Sequence, residues 1–236
     1  PQALINKAQH GRHADALPTA EYVVNDRKSG VFSFCMCPGG TIMASVSEAG
    51  CLSSNGMSRR SRDSGWANSG LVFTVPATLT PGADTNPLAG VELQRKLEQH
   101  AFSLGGSDYR IPAQRAGDYL SGKLSQGVLA SSYPRGLVPA DLQAVVPKET
   151  AAAIGRALRA FDKRIPGFVS EGLLVGPESR GSSPVRIPRD SLSRISTSTP
   201  GLYPVGEGAG FAGGIMSAAI DGLRSAAALI RTHAPA

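Results

Sequence analysis

The amino-acid sequence predicts an α+β fold, in which a body of mixed sheet and helix precedes a glycine-rich loop and a last helix. Two observations predict it. Strand-like apolar runs and helical repeats both occur, but they do not alternate as they do in parallel βαβ folds. The 236 residues are 41% hydrophobic and 18% charged, with 28 glycines and 17 prolines, which favours a buried core with many turns. We expect two domains, residues 1–175 and residues 176–236.

The first third of the chain is predicted to be mostly strand and loop. Residues 1–20 show no periodicity and are expected to be irregular. Residues 31–47 (VFSFCMCPGGTIMASVS) place strand formers on both sides of a Pro-Gly-Gly turn, which predicts a β-hairpin. Residues 51–70 are rich in Ser, Asn and Gly and predict a polar loop, whereas residues 71–75 (LVFTV) predict a buried strand.

Two amphipathic helices are predicted in the middle of the chain, near residues 90–104 and residues 149–163. In each of them, apolar residues recur every three or four positions, which is the spacing of one helix face. These residues are Leu93, Leu97, Ala101 and Leu104 in the first helix and Ile154, Leu158, Phe161 and Ile165 in the second. Gly105 and Gly106 are expected to end the first helix, and residues 172–176 (GLLVG) are expected to form a short strand.

Residues 201–222 (GLYPVGEGAGFAGGIMSAAIDG) predict a strand, a glycine loop and a helix, in that order. Leu202 and Tyr203 are expected to form a buried strand, and the helix to cover residues 213–231. Glycine lets the backbone turn sharply and a ligand approach closely, and the free N–H groups of a helix start favour an anion. The apolar face of this helix is formed by Ile215, Ala219, Leu223, Ala226 and Ile230. We expect that face to be buried against the body or to mediate self-association.

The glycine loop matches the spacing G-x-G-x-x-G at Gly208, Gly210 and Gly213. A dinucleotide-binding βαβ unit also needs a second strand, with an acidic residue about 20 positions further on. Too few residues follow Ala228 for that strand, so the loop is not expected to be the first βαβ unit of a Rossmann domain. The alternative is a glycine-rich helix start that packs tightly for structural reasons.

Charge and cysteine content limit the classes of partner. The net charge is +6, but Lys and Arg are scattered and only 6% of the residues are aromatic, so a nucleic-acid partner is not expected. No apolar stretch is long enough to span a membrane, and the odd number of cysteines, three, argues against a disulfide framework. We therefore expect a cytoplasmic protein without a membrane partner.

Cys35 and Cys37 form a C-x-C pair, whose side chains would share one face of a strand. A structural zinc site needs about four ligands, and no second pair with suitable spacing accompanies these two, so no metal is predicted. Cys35 is expected to be a small buried side chain. No Ser-His-Asp triad can be identified in the sequence, and no catalytic residue is predicted.

Several of these stretches resemble one family. Residues 201–222 resemble the C-terminal flavin motif of the uncharacterised FAD-dependent dehydrogenases, which belong to the wider group of flavoproteins with two dinucleotide-type domains. Three further stretches resemble the same family in the same order: FCMCPGG (34–40), NGMS (55–58) with NSGLV (68–72), and RGSSPVRIPRD (180–190). The resemblance covers nearly the whole chain from about Ala20. Gly70 and Gly181 stand where the family usually has Ala and Thr.

The resemblance implies a fragment of an FAD-dependent oxidoreductase. The family carries an N-terminal FAD-binding βαβ unit with its own G-x-G-x-x-G, and this sequence has none ahead of residue 200. Residues 1–175 would be a substrate domain and residues 176–236 the C-terminal segment of a Rossmann-like FAD domain. FAD would be bound in the whole protein, and weakly or not at all by this chain. The alternative is a non-enzymatic binding module, RNA-associated because of its basic balance, with a structural glycine loop.

The resemblance also implies site residues. The FAD site would be formed by Gly206, Glu207, Gly208, Ala209, Gly210, Gly213, Gly214, Ile215, Arg180, Ser182, Ser183 and Arg186. The first five would lie along the pyrophosphate and ribityl chain, the helix start would face the pyrimidine edge of the flavin, and the arginines would hold a phosphate or a substrate carboxylate. Contacts to a small-molecule substrate would come from Cys37, Pro38, Gly39, Gly40, Asn55, Ser58, Asn68 and Ser69. The alternative for Glu207 is that its carboxylate is simply solvated in the loop. The alternative for Arg180 and Arg186 is that they form surface ion pairs.

Overall fold

A computed structural model describes residues 1–46 and 48–234, and it confirms the α+β class. In these residues, five α-helices and eight short strands follow one another without regular alternation. The helices are α1 (Gln2–His10), α2 (Ala89–Leu104), α3 (Ala116–Ser121), α4 (Lys148–Arg164) and α5 (Ile215–His233). The strands are β1 (Asn25–Asp26), β2 (Val31–Cys37), β3 (Gly40–Ala44), β4 (Ser54–Ser58), β5 (Asn68–Phe73), β6 (Ile111–Arg115), β7 (Leu137–Pro139) and β8 (Leu173–Val175).

The chain divides into two compact units. Unit 1 comprises Pro1–Leu79 and Arg95–Ser179, and unit 2 comprises Thr80–Gln94 and Arg180–Ala236. Helix α2 therefore contributes its first residues to unit 2 and the remainder to unit 1. All eight strands lie in unit 1, whereas the described part of unit 2 consists of loops and helix.

Three small sheets organise unit 1. Strands β1, β2 and β5 form an antiparallel sheet, β3 and β4 pair antiparallel, and β6 lies between a parallel β7 and an antiparallel β8. The hairpin predicted at 31–47 is therefore wrong. Both of its strands exist, but β2 pairs with β5, where Cys37 lies opposite Asn68, and β3 pairs with β4. Ser47, at the end of the predicted hairpin, lies outside the described residues.

The Pro-Gly-Gly turn separates β2 from β3 because its backbone is bonded elsewhere. The Gly39 N–H donates to Gln2 Oε1 at 2.8 Å, and the Gly40 N–H donates to the Trp66 carbonyl at 2.9 Å. Gly39 has a φ of 53°, and a Cβ at this position would overlap the Arg62 backbone. Glycine is therefore required here, and β3 pairs with β4 instead of returning along β2.

The beginning of the chain is helical, so the irregular structure predicted for residues 1–20 is wrong for α1. Ile5 of α1 is 4% exposed and belongs to the same core cluster as Phe161 of α4. A short isolated helix is only marginally stable, and packing of its apolar side chains decides whether it forms. The sequence of α1 by itself therefore gives little indication that this segment is helical.

The polar loop predicted for residues 51–70 is also partly wrong, because it contains β4 and the start of β5. The strand predicted at 71–75 is β5, which begins earlier, at Asn68, and is half-buried along its length rather than buried. Strands β6 and β7 and helix α3 are not predicted by any pattern in the sequence. These elements are short, and strand formation depends on the partner strand more than on the strand's own residues.

Helix α4 lies at the centre of the unit 1 core, as its apolar face predicts. Leu158 and Phe161 of α4 are fully buried, one in each of the two core clusters of unit 1. The helices predicted near 90–104 and 149–163 are confirmed as α2 and α4, and the strand predicted at 172–176 is confirmed as β8. Helices α2 and α4 have apolar residues at helical spacing over several turns, and β8 has a short run of apolar residues. Both patterns can be seen within the segment itself.

The buried strand predicted at Leu202 and Tyr203 is wrong. Residues 201–214 are turns and irregular segments, and Leu202 is exposed. The Leu202 carbonyl accepts a hydrogen bond from the Ser196 N–H at 2.8 Å. Its backbone therefore bonds to the loop around Ser196 and not to a strand. The loop and helix of the predicted strand–loop–helix segment are present, and the strand is not.

The face that α5 buries differs from the predicted one. Ile215, Leu223 and Ile230 are 88%, 72% and 63% exposed. The buried side chains of α5 are those of Asp221, Ser225 and Ala228. The expectation that this apolar face is buried within the chain is therefore wrong. None of the helices within residues 1–46 and 48–234 has the length and hydropathy of a membrane-crossing segment.

Candidate functional site

The glycine loop of unit 2 is a pair of overlapping turns. The Gly210 N–H donates to the Glu207 carbonyl at 2.8 Å, and the Phe211 N–H donates to the Gly206 carbonyl at 3.0 Å. Gly206 and Gly210 have φ angles of 73° and 82°, a conformation that glycine adopts readily and other residues rarely do. These two glycines therefore shape the loop itself.

The RGSSPVRIPRD motif (180–190) is hydrogen-bonded to this loop. The Ser183 hydroxyl donates to the Gly208 carbonyl at 3.1 Å, and Arg186 Nε donates to the Gly210 carbonyl at 3.1 Å. The Ile187 N–H donates to the carbonyl of Ala209, also at 3.1 Å. The structure thus brings the two motifs together, with Ser183 and Arg186 supporting the loop backbone.

Arg180 and Ser182 are the other two residues of this motif in the predicted FAD site. Both lie on the surface of unit 2, as Arg186 does. The Ser182 carbonyl accepts a hydrogen bond from Gln94 Nε2 at 3.4 Å. Glu207 is half-buried at the turn. Its backbone carbonyl accepts the hydrogen bond from the Gly210 N–H that closes the turn.

Other glycines of the loop leave open space. A Cβ at Gly208 or at Gly213 would have no atom of the chain within 4 Å, and a Cβ at Gly214 would meet only Ser217 Oγ, at 3.9 Å. A Cβ at Gly210, in contrast, would overlap the Val185 carbonyl. The fold therefore requires glycine at 210 but not at 208 or 213, where the missing side chains leave room for a ligand.

Helix α5 begins directly after this loop with its first N–H groups uncapped. Gly214 is the N-cap residue, and no side chain accepts a hydrogen bond there. An uncapped helix start offers several backbone donors and the positive end of the helix dipole to an anion. Nearby in the sequence, the Tyr203 hydroxyl is buried without a hydrogen-bond partner among the described residues, although buried polar groups usually have one.

An ion cluster that the sequence patterns do not predict lies next to the loop. The Asp221 carboxylate accepts hydrogen bonds from both terminal nitrogens of Arg189, at 2.7 and 2.9 Å, and from Arg194 Nη1 at 2.7 Å. It also accepts from the Gly206 N–H at 2.9 Å. The Arg189 hydrogen bond and the other donors hold the pKa of Asp221 well below its usual range. Asp221 is the one acidic residue of α5 (Ile215–His233), and no spacing in the sequence marks it as part of a cluster.

In unit 1, some of the predicted substrate residues converge. Cys37 and Asn68 face each other across β2 and β5, and a Cβ at Gly56 would overlap Asn68 Oδ1 and lie 3.0 Å from Cys37 Sγ. The Ser58 hydroxyl donates to the Pro38 carbonyl at 2.9 Å. Asn68 Nδ2 is buried with no hydrogen-bond partner in the described residues. Burial raises the pKa of the Cys37 thiol.

The other predicted substrate residues do not join this group. Ser69 follows Asn68, so strand alternation sends it to the other face of β5, where its hydroxyl is hydrogen-bonded to Tyr22 at 2.7 Å. Asn55 is exposed, and its side chain accepts from the adjacent backbone. Pro38, Gly39 and Gly40 are buried in the turn described above.

Cys35 is exposed, so the expectation that it is buried is wrong. The register of β2 against β5 shifts between Phe34 and Cys37, and Cys35 has a φ of 45° at this irregularity. The shift breaks the alternation that would have placed both cysteines on one face. Within the described residues, no group of three or more His, Cys, Asp or Glu side chains could hold a metal ion.

Glu178 is a second residue that the sequence patterns do not indicate. Its carboxyl lies against β5, where a Cβ at Gly70 would be 2.7 Å from Glu178 Oε2. The absence of a side chain at Gly70 thus gives this carboxyl its space. Its side chain has no hydrogen-bond partner among the described residues, and burial raises its pKa.

Both neighbours of Glu178 are firmly held. The Pro177 carbonyl accepts from the Ser54 N–H at 2.9 Å and from the Ser54 hydroxyl at 3.0 Å. The Ser179 hydroxyl donates to the buried carboxylate of Glu98. The backbone therefore fixes an acidic group whose own oxygens bind no other residue in the described part of the chain.

Glu178→Gln is expected to stabilise unit 1 at neutral and alkaline pH. A carboxyl whose folded pKa is raised contributes stability in acid and loses that contribution as pH rises through the folded pKa. Glutamine has a similar shape and cannot ionise, so thermal unfolding should occur at higher temperature than in the wild type at about pH 8, and the gain should shrink toward about pH 4. Glu171→Gln, at an exposed carboxylate, is the control. A gain for Glu178→Gln that is equal at both pH values would contradict this account.

Comparison with known proteins places the chain in a family. A family model described as "FAD-dependent protein, C-terminal domain-like" matches residues 1–181. An "Uncharacterized protein" of Clostridium beijerinckii (strain ATCC 51743 / NCIMB 8052) is 44% identical over 239 residues, which cover 98% of this chain and 44% of that protein. The chain thus spans less than half the length of this curated relative. It belongs to the family of FAD-dependent proteins that the C-terminal domain-like model describes.

Proposed function

We propose that the whole protein is an FAD-dependent oxidoreductase, and that unit 2 contributes part of its FAD site. The observation that carries the proposal is the uncapped start of α5 behind a loop in which Gly208 and Gly213 face open space. Membership of an FAD-dependent family supports the choice of ligand. When bound, FAD supplies hydride and electron transfer.

The residues present fit such a ligand. The backbone N–H groups at the start of α5 would receive negative charge, and the space beside Gly208 would admit the ligand chain. The buried hydroxyl of Tyr203 is unpartnered among the described residues and would supply one more donor. Ser183 and Arg186 would act through the loop backbone that they support, and Glu207 would accept from a hydroxyl of the ligand.

In unit 1, the proposal assigns substrate contacts to the group around Cys37 and Asn68. Ser58 borders the same group through the Pro38 carbonyl. Glu178 would add a group that can exchange a proton, since its side chain is half-buried and burial raises its pKa. Pro38, Gly39 and Gly40 would shape the turn behind Cys37.

Purification of the whole protein tests the proposed function. We expect a yellow protein with flavin absorbance bands, which releases FAD on denaturation, at about one FAD per chain. A colourless protein that binds RNA with strong salt dependence would overturn the proposal and favour the alternative of a non-enzymatic binding module.

We further propose that a second copy covers the apolar face of α5 when this chain is alone. Ile215, Leu223 and Ile230 are all mostly exposed, while Asp221, the acidic residue of the helix, is buried. A contiguous exposed apolar patch favours association. In sedimentation velocity, the wild-type chain should associate as its concentration rises, and Leu223→Gln with Ile230→Gln should stay monomeric. Arg224→Gln, at an exposed neighbour, should behave as the wild type, and a wild-type chain that is monomeric throughout would contradict the proposal.

A further inference from the structure

One face of strand β5 in unit 1 brings together two polar groups that have no hydrogen-bond partner among the described residues. Asn68 and Gly70 are two residues apart on β5, so they lie on the same face of the strand. Asn68 Nδ2 is buried and unpartnered, and the Glu178 carboxyl lies over Gly70. Buried polar groups usually have a partner, so two on one face indicate a place where a ligand supplies it.

The space over Gly70 is lined by oxygen atoms. The position that a Cβ of residue 70 would take lies 2.7 Å from Glu178 Oε2 and 3.7 Å from the carbonyl oxygen of Phe34. Phe34 pairs with Gly70 across the two strands, at the point where the register of β2 shifts. A ligand atom at this position would therefore contact two hydrogen-bond acceptors, one from a carboxylate and one from the backbone. Such a site suits a group that donates several hydrogen bonds.

None of the cations in the described part of the chain compensates the Glu178 carboxylate. Burial raises the pKa of this carboxyl, and no cationic side chain lowers it. Its titratable neighbour is the Cys37 thiol, which is itself an acid. A carboxylate that is partly withdrawn from water without a counter-ion is costly. A positively charged ligand would remove that cost, whereas an anion or a carbonyl oxygen would add another acceptor to a site that already has two.

Glu178 is held in place and can still be reached. The Pro177 carbonyl accepts two hydrogen bonds from Ser54 of β4, and the Ser179 hydroxyl donates to Glu98. The Glu178 side chain between them is only half-buried. The carboxyl is therefore positioned before a ligand arrives, which lowers the entropic cost of binding.

We infer that the Glu178 carboxyl and the Phe34 carbonyl bind an ammonium group, so that the substrate is a small primary amine. This assignment rests on the proposed function, which places substrate contacts in this part of unit 1, and it adds the chemical class of the substrate. Residues 68 and 70 are about 7 Å apart along the strand. Asn68 Nδ2 would therefore donate to an oxygen of the same ligand, a few bonds from the ammonium group.

The test compares ethanolamine with ethylene glycol on the whole protein as purified. The two probes have the same size and share a hydroxyl group, so they differ in the ammonium group alone. Thermal unfolding at rising probe concentration and constant ionic strength gives the affinity of each. We expect ethanolamine to bind at least about tenfold more tightly. Equal binding of the two probes, or binding of neither, to a protein that contains FAD would overturn the inference and leave the proposed function intact. A protein without FAD would instead overturn the proposed function.

Two variants locate the preference for ethanolamine at this site. Glu178→Gln removes the charge and should abolish the preference. Gly70→Ala keeps the charge but places a methyl group against Oε2, and the φ of Gly70 lies outside the left-handed region, so the fold should accept alanine while ethanolamine binds about tenfold more weakly. Glu171→Gln, at an exposed carboxylate, should bind as the wild type does, and all three should retain FAD. A preference that survives Glu178→Gln or Gly70→Ala would overturn the inference. Should one of these two variants fail to fold, the other decides the comparison.

Discussion

The whole protein carrying Gly208→Val is expected to lose its bound FAD and still to fold. A Cβ at Gly208 meets no atom of the chain within 4 Å, and the φ of this glycine is not in the left-handed region. Valine should therefore cost the fold little. A ligand that follows the loop, however, would collide with the side chain, because the close approach depends on the missing Cβ. The ratio of FAD to protein after gel filtration, with thermal unfolding as the folding check, measures the effect.

Two other glycines provide the comparison for Gly208→Val. Gly117→Val, in α3 of unit 1, also points into open space and should keep the wild-type FAD content. Gly210→Val should lose both FAD and stability, because a φ of 82° and the Val185 carbonyl both exclude a side chain there. Unchanged FAD content in Gly208→Val would show that the loop does not lie at the cofactor.

The elements that the sequence predicts correctly are those with a local signal. Helices α2 and α4 carry apolar repeats at helical spacing over several turns, and packing follows those repeats. The error at 31–47 has a different origin, since the residue pattern predicts both strands but not the strands with which they pair. The backbone N–H groups of Gly39 and Gly40 bond to Gln2 and Trp66, and no alternation of residues within 31–47 contains that information.

The C-terminal helix shows a second kind of error. Its apolar residues do form a stripe, but the face that is buried in this chain carries Asp221 and Ser225. Ion pairing with Arg189 and Arg194 decides which side of α5 is covered. A hydrophobic pattern predicts burial only where a partner surface exists, and Leu202, which is expected to lie in a buried strand before the loop, is itself exposed.

At the candidate site, the residues that the sequence predicts correctly belong to motifs, whereas single residues outside a motif are not predicted. The glycine loop and the RGSSPVRIPRD motif (180–190) are separate in the sequence, and hydrogen bonds from Ser183 and Arg186 join them. The sequence does not indicate Glu178 or Asp221, because a lone carboxylate belongs to no motif with a defined spacing. Their significance comes from burial and from neighbours that are distant in sequence, such as Gly70.

This 236-residue chain by itself is expected not to retain FAD. The family resemblance places the adenine half of the cofactor on an N-terminal βαβ unit, and no G-x-G-x-x-G occurs ahead of residue 200. The loop and the start of α5 offer backbone donors and one helix dipole, contributions of about 1 kcal/mol each at an exposed site. Binding a long, flexible dinucleotide costs at least several kcal/mol in lost freedom, so the balance leaves weak binding or none. The visible spectrum after gel filtration measures this, and stoichiometric flavin in the protein peak would mean that unit 2 holds FAD without a βαβ unit.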